Sequence, residues 1–176
     1  WFDHEITMTE AAEKGTHKVI TEHSTIGLLV TADGTFGEIP RESYIEAEKR
    51  VAAEMTAINK PFVVVLNSAR PTEPQTEALA KDLEGEYGVP VIPVNCLTMG
   101  EKEIKHILAE VLYEFPVREV TFVTPSWAET LEDSHALKTR LLDVMNTFAQ
   151  SVVKVGDVYS KADLVKLDDI GVSSAI

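Results

Sequence analysis

Asn67, Ser68 and Arg70 stand together at the end of a five-residue apolar run, Phe62-Val63-Val64-Val65-Leu66, and are followed by Pro71. The amide offers a donor and an acceptor, the hydroxyl does the same on a shorter arm, and the guanidinium only donates. Such a set at a strand end can brace a loop and touch the polar edge of a planar ring. Other chemistries are poorly represented. The chain has no Gly-x-x-x-x-Gly-Lys-Ser/Thr, so a phosphate-cradling loop is missing from it, and no Gly-x-Gly-x-x-Gly. His4, His17, His23, His106 and His135 have no metal-ligand spacing with Cys96 or with one another. Cys96 lies between Asn95 and Leu97, which supply no positive charge to stabilise a thiolate, and it reads as a small hydrophobe. Trp127 and Phe148 read as core or interface anchors rather than a stacking platform.

The elements that position the Asn67 loop follow from periodicity and punctuation. Thr7-Met8-Thr9-Glu10 has capping-box spacing and predicts a helix over 10–22, with Ala11, Ala12, Val19 and Ile20 on an apolar face and Gly15 weakening it. Ile26 to Val30 is a continuous apolar run ending in a Thr31-Ala32-Asp33-Gly34 turn signal, and it predicts a strand buried on both faces. Pro40 opens a helix whose inward stripe is Tyr44, Ala47, Val51, Met55 and Ile58. After the strand Phe62–Leu66, a helix is predicted over 72–86, with Pro74 in its first turn and Gly88 ending it. Val89 to Val94 is a third strand, and its two prolines place it at a sheet edge. Thr98-Met99-Gly100-Glu101 is a second capping-box candidate, opening a helix that buries Ile104, Ile107, Leu108, Val111, Leu112 and Phe115. Helix and strand alternate with short connections, which argues a parallel α/β sheet with right-handed crossovers. Ligands of such sheets sit at the carboxyl ends of the strands, which singles out the loops 31–35, 67–71 and 95–99. Beyond Pro116 the alternation stops. Val117 to Val123 is a short strand candidate, and Pro125-Ser126-Trp127 starts a long helical segment with Leu137, Leu141, Val144, Met145, Phe148 and Val152 on its apolar face.

Composition bounds the function. The 176 residues are 44% hydrophobic, enough for an ordinary core, and carry a formal net charge of −13 from 29 acidic and 16 basic residues. That balance argues against a nucleic-acid backbone as the main partner, which needs clustered Lys and Arg. One cysteine excludes an internal disulfide and fits a reducing compartment. No apolar run approaches the ~20 residues of a membrane span, and no secretory signal is visible. A chain opening on Trp1 in a loop-like stretch reads as a piece of a longer protein.

At the end of such a strand a GTPase fold carries Asn-Lys-x-Asp, whose aspartate accepts from the guanine N1–H and exocyclic amine together. Here Ser68 stands at the Lys position and Arg70 at the Asp position. Arginine would meet guanine's two donors with like polarity, so guanine recognition by that route is lost. Asn67 to Pro71 also satisfy the simpler demands of a strand-to-helix turn, with Asn and Pro as turn formers.

Longer segments carry a resemblance. Trp1-Phe2-Asp3-His4-Glu5-Ile6, Glu10 to Thr16, Glu22-His23-Ser24-Thr25-Ile26-Gly27, Thr31 to Thr35, Tyr44 to Glu48, Lys60-Pro61-Phe62, Leu66-Asn67-Ser68, Arg70-Pro71, Leu112 to Val117 and Pro125-Ser126-Trp127 closely resemble the stage IV sporulation protein A family, morphogenetic ATPases of the bacterial spore coat. The resemblance is dense up to Trp127 and looser beyond Asn146. It implies the C-terminal half of a GTPase-like P-loop domain with a mostly parallel sheet over residues 1–116, followed over 117–176 by the start of a second, helical α+β middle domain. It implies ATP and magnesium as cofactors, with the phosphate and metal ligands upstream of Trp1, and ATP hydrolysis in the intact protein but not in this piece. Trp1 to Ile6 would follow the second switch region. Asn67, Ser68 and Arg70 would occupy the base-recognition loop, and Asn95 and Cys96 the last base-side loop.

The partners so implied are self-association into filaments, other spore-coat proteins and a small membrane-recruiting protein, in the mother-cell cytoplasm at the outer forespore surface. An alternative on the same fold is a structural scaffold in which nucleotide only sets shape. A receiver-like or flavodoxin-like binding domain needs acidic or phosphate-binding residues at a first strand that is not visible here. In the implied sheet the strand at Ile26 to Val30 would be central, so within this chain it is expected either to leave an unpaired edge or to have that edge covered by a neighbouring segment.

Overall fold

The structure is a computed structural model and describes residues 7–162. The chain divides into two compact units, Trp1–Val111 and Leu112–Ile176. The Trp1 to Ile6 segment lies outside the described residues, as do residues 163–176.

In the first unit, three parallel strands form one sheet in the order β1 (Gly27–Ala32), β2 (Phe62–Asn67), β3 (Val91–Val94). The strands therefore fall where the apolar runs predict, and β3 lies at an edge as its prolines require. Between them run α2 (Glu42–Ala57) and α3 (Pro74–Tyr87), preceded by α1 (Met8–Lys18) and followed by α4 (Glu101–Tyr113). Leu29, Phe62, Val64, Leu66 and Val91 of the sheet pack with Ala52 and Met55 of α2 and with Ala80 and Leu83 of α3. Each large side chain fully buried there contributes roughly 1.5–3 kcal/mol. Gly27 is required by this packing, since a Cβ would come 2.8 Å from the Met55 sulfur and 3.0 Å from Phe62 Cβ. Gly88 ends α3 in the left-handed conformation, with its N–H on the Glu84 carbonyl.

The register decides what happens at the carboxyl ends. Ala32 is level with Asn67, and Asn67 with Val94. The loops after the three strands thus emerge side by side, although 35 and 27 residues of chain separate their starting points (67 − 32 and 94 − 67).

Several expectations need correction. β1 is not buried on both faces: Leu29 and Thr31 are covered, but Leu28 and Val30 are 48% and 57% exposed. Among the described residues β1 pairs with β2 alone, leaving the expected bare edge and an uncovered second face. The capping box of α1 forms as the spacing predicts, with Thr7 accepting from the Glu10 N–H and Glu10 from the Thr7 N–H. Of the expected apolar face, however, only Ile20 packs against the core, while Ala11, Ala12 and Val19 stay exposed. The helix widens there into a π turn over Val19–His23, where the Thr21 and Ser24 hydroxyls bond back to the carbonyls of His17 and Ile20. At α4 the box shifts by two residues: Glu103 accepts from the Gly100 N–H. Ile107 and Val111 are buried, whereas Ile104, Leu108 and Leu112 are exposed.

The second unit contains the short α5 (Ser126–Glu129), α6 (Ala136–Ser151) and α7 (Val155–Ser160). The strand expected at 117–123 is absent. Only an isolated antiparallel bridge forms, Pro116 to Lys154, with Val117 N–H on the Val153 carbonyl and Val155 N–H on that of Phe115. The long helical segment expected from Pro125 is broken in two. Thr130 closes α5 with its hydroxyl on the Trp127 carbonyl, and the His135 ring restarts the helix by accepting from the Leu137 N–H. The apolar face of α6 is as predicted, with Phe148 buried against Phe122 in an edge-to-face pair. Trp127, by contrast, is half exposed.

Candidate functional site

Asn67, the last residue of β2, uses its side chain to join loops. Its Oδ1 accepts from the Cys96 N–H at 3.0 Å, and its carbonyl accepts from the Asp33 N–H at 3.1 Å. One residue therefore ties the loops after all three strands. Asn95 braces its own loop as an Asx turn, Oδ1 accepting from the Leu97 N–H at 3.0 Å, and its amide reaches the Ala69 carbonyl at 3.5 Å. The Asn95 carbonyl accepts from both Thr98 and Met99. Cys96 is half-buried.

Ser68 is wholly buried. Its N–H donates to the Val94 carbonyl at 2.9 Å, and its Oγ accepts from the Arg70 N–H at 3.0 Å and lies 3.4 Å from Thr76 Oγ1. The hydroxyl standing at the Lys position shapes the turn from within. Arg70 turns outward, its guanidinium 3.1 Å from Glu73 in an exposed pair across the turn before α3. Such a pair contributes about 0–1 kcal/mol and leaves the guanidinium easily redirected.

Asp33 is the residue that sequence reasoning passed over as a turn former. Oδ1 accepts from the Thr35 N–H at 2.9 Å and from the Thr35 hydroxyl; Oδ2 accepts from Thr76 Oγ1 at 3.5 Å. Burial alone would raise this carboxyl. Hydrogen bonds from Ser68, Thr35 and Thr76 outweigh it and hold the group below the usual carboxylate range, so it is ionised. The signal available in the sequence was Asp-x-Thr after an apolar run, the spacing at which an Asx turn captures the N–H two residues on. Thr35 Oγ1 in turn accepts from the Ala69 N–H at 2.8 Å.

The structure thus brings Asn67, Ser68, Asn95 and Cys96 together and adds Asp33 and Thr35, while the Arg70 side chain stands at the rim. The exposed rim also carries Ala69 and Leu97, which offer apolar surface to a flat ring. Among the described residues no group of three His, Cys, Asp or Glu side chains could hold a metal ion. Among the described residues no helix is long and apolar enough to cross a membrane.

Three parallel strands with their loops laced together at the carboxyl ends make the first unit an α/β domain built on a small parallel sheet. A family model described as "Stage IV sporulation protein A, ATPase domain" matches residues 1–116, and the chain belongs to that family. Among its relatives are stage IV sporulation protein A of Bacillus subtilis, 44% identical over 90% of this chain and 32% of its own length, and that of Bacillus anthracis, 42% identical over the same shares. The protein of the same name from Clostridioides difficile is 38% identical over 99% of this chain and 36% of its own length. The chain spans about a third of the length of these curated relatives. No solved structure matches it significantly.

Proposed function

We propose that residues 1–116 are the base-side half of a nucleotide-hydrolysing domain that takes ATP in preference to GTP and serves in sporulation. The family description names an ATPase domain, and the relatives carry sporulation names. The observation that carries the base preference is the fate of the carboxylates around the loops. Guanine recognition needs an acceptor free to take two adjacent donors. Asp33, partly buried beside the loops, has both oxygens engaged by hydroxyls and an amide, and Arg70 replaces the carboxylate at the reading position. Adenine makes no such demand. Asn67 holds the loop, Asn95 and Cys96 form the opposite wall, and the Ala69 and Leu97 rim meets the ring faces.

Magnesium and the phosphates would be held by residues outside this chain, and there they would supply the setting for attack of water on the γ-phosphate. The 176-residue chain alone is accordingly expected to give no ATP turnover above contaminant controls. In the intact protein, hydrolysis would drive self-association into filaments that form the basement layer of the spore coat. That layer would lie in the mother-cell cytoplasm at the outer forespore surface, joined by other coat proteins and a small recruiting protein on the membrane.

The test is nucleotide titration of a full-length family protein carrying this sequence with Arg70→Asp. A charged acceptor regained at this position is worth about 1.5–3 kcal/mol of hydrogen bonding, so the ATP-over-GTP preference should move toward GTP by about tenfold or more. An unchanged preference removes Arg70 from base selection.

A further inference from the structure

We propose that Asp33 is a positioning residue for the base loop: its carboxylate ends two hydrogen-bond relays that start at the Ala69 and Arg70 backbone amides. The inference rests on the ATP-binding reading above and deepens it. The polarity of the bonds carries it. A hydroxyl has one proton to give. Thr35 Oγ1 accepts from the Ala69 N–H at 2.8 Å and gives its own proton to Asp33 Oδ1, which also takes the Thr35 N–H. Ser68 Oγ accepts from the Arg70 N–H at 3.0 Å and lies 3.4 Å from Thr76 Oγ1, which in turn gives its proton to Asp33 Oδ2 at 3.5 Å, so the Ser68 proton is free to pass to Thr76. Both relays run one way, from amide through hydroxyl to carboxylate. Only an acceptor at both ends of the Asp33 side chain keeps them running.

The loop carrying the proposed base-facing residues is therefore oriented by a group in another loop, the one after β1. The main-chain bond from the Asp33 N–H to the Asn67 carbonyl sets the distance between the two strand ends, and the relays set the direction of the turn. Asparagine at position 33 keeps the size but puts an NH2 where one oxygen stood. The facing hydroxyl then accepts from that NH2 and loses the charged acceptor for its own proton, so its bond from Ala69 or from Arg70 is weakened and no longer held in one direction. Serine at position 35 keeps the hydroxyl, and valine removes it.

The experiment uses a full-length family protein with this sequence, comparing Asp33→Asn, Thr35→Val and Thr35→Ser. Asp33→Asn is expected to raise KM for ATP about 5- to 30-fold, the equivalent of one or two hydrogen bonds, with kcat within twofold. Inhibition by inorganic tripolyphosphate, which lacks base and sugar, should stay unchanged. Thr35→Val should follow Asp33→Asn in part, and Thr35→Ser should match wild type. Hydrogen exchange at Ala69 and Arg70 should speed up at least tenfold in Asp33→Asn. Faster exchange with an unchanged KM would overturn the proposal, and so would unchanged exchange or a matching loss of tripolyphosphate inhibition. If the wild-type protein failed to bind ATP, the functional reading would fail, while exchange at Ala69 and Arg70 would still decide whether Asp33 holds the loop.

Discussion

Replacing Glu48 with alanine is expected to destabilise the first unit by about 3–5 kcal/mol, the cost of breaking a buried ion pair from one side. Glu48 lies on α2 with its side chain 2% exposed, and both oxygens face the Arg41 guanidinium in a fork geometry. Tyr87 at the end of α3 donates to Oε1 at 2.6 Å. Arg41 passes the connection on to β1, donating to Thr31 Oγ1 at 3.0 Å and to the Ala32 carbonyl at 3.3 Å. Removing the carboxylate leaves a half-buried guanidinium and a tyrosine hydroxyl without their acceptor. Because that loss is a large part of a domain's usual stability, Glu48→Gln is the companion variant. It keeps volume and an acceptor for Tyr87 and should cost about 1.5–3 kcal/mol, the value of a charged hydrogen bond.

The pH dependence separates the charge from the packing. Burial pushes the Glu48 carboxyl up, but hydrogen bonds from Arg41, Thr31 and Tyr87 and the Arg41 charge outweigh it, so its pKa in the fold is lowered. The unfolded chain then binds this proton first as pH falls. The contribution is full above the unfolded carboxyl range near ~4.3 and fades as pH drops through the lower folded value. The gap in urea midpoint between wild type and Glu48→Gln should thus be constant at neutral pH and shrink in acid. A gap that is absent at neutral pH would mean the pair contributes nothing.

This network explains where sequence reading succeeded and where it stopped. Continuous apolar runs such as Phe62–Leu66 leave few alternatives to a buried parallel strand, and the alternation of elements leaves few topologies. The stripe on α2 was legible only in part. Met55 is buried and Val51 packs at the edge of the core, but Ala47 is exposed and Glu48 is inside. Periodicity assigns a glutamate to water, and only Arg41, reaching in from the N-cap of the same helix, and Tyr87, from the end of α3, reverse that assignment. The site has the same division. Asn67 was found because it ends a strand. The Asp33 relay was not, because its bonds depend on register, with Thr35 and Ala69 34 residues apart and Asn67 and Cys96 29 apart. Val117–Val123 has the β-branched composition of a strand but, among the described residues, meets no partner beyond the bridge at Pro116. Strand propensity is realised only through pairing.

Gly34→Ala should be the most damaging single-methyl change in the site loops. Gly34 has φ +85°, and an added Cβ would sit 2.8 Å from the Arg41 backbone nitrogen. The positive φ alone costs about 1–3 kcal/mol in a residue with a side chain. The close approach is to backbone, which cannot step aside by changing a rotamer, so it adds an overpacking cost of about 1–3 kcal/mol. Gly37 provides the control: it too has a positive φ, +70°, but nothing lies within 4 Å of its Cβ position. Gly37→Ala should cost only the conformational term, and the difference between the two variants measures the approach to Arg41. Equal losses would mean that the loop relaxes freely around position 34. Shifting Arg41 also moves its guanidinium off Ala32 and Glu48, so Gly34→Ala and Glu48→Gln act through one residue. Their combined loss is expected to fall short of the sum by about 0.5 kcal/mol or more in a double-mutant cycle. Strict additivity would show that the turn at Gly34 and the Arg41–Glu48 pair are held independently.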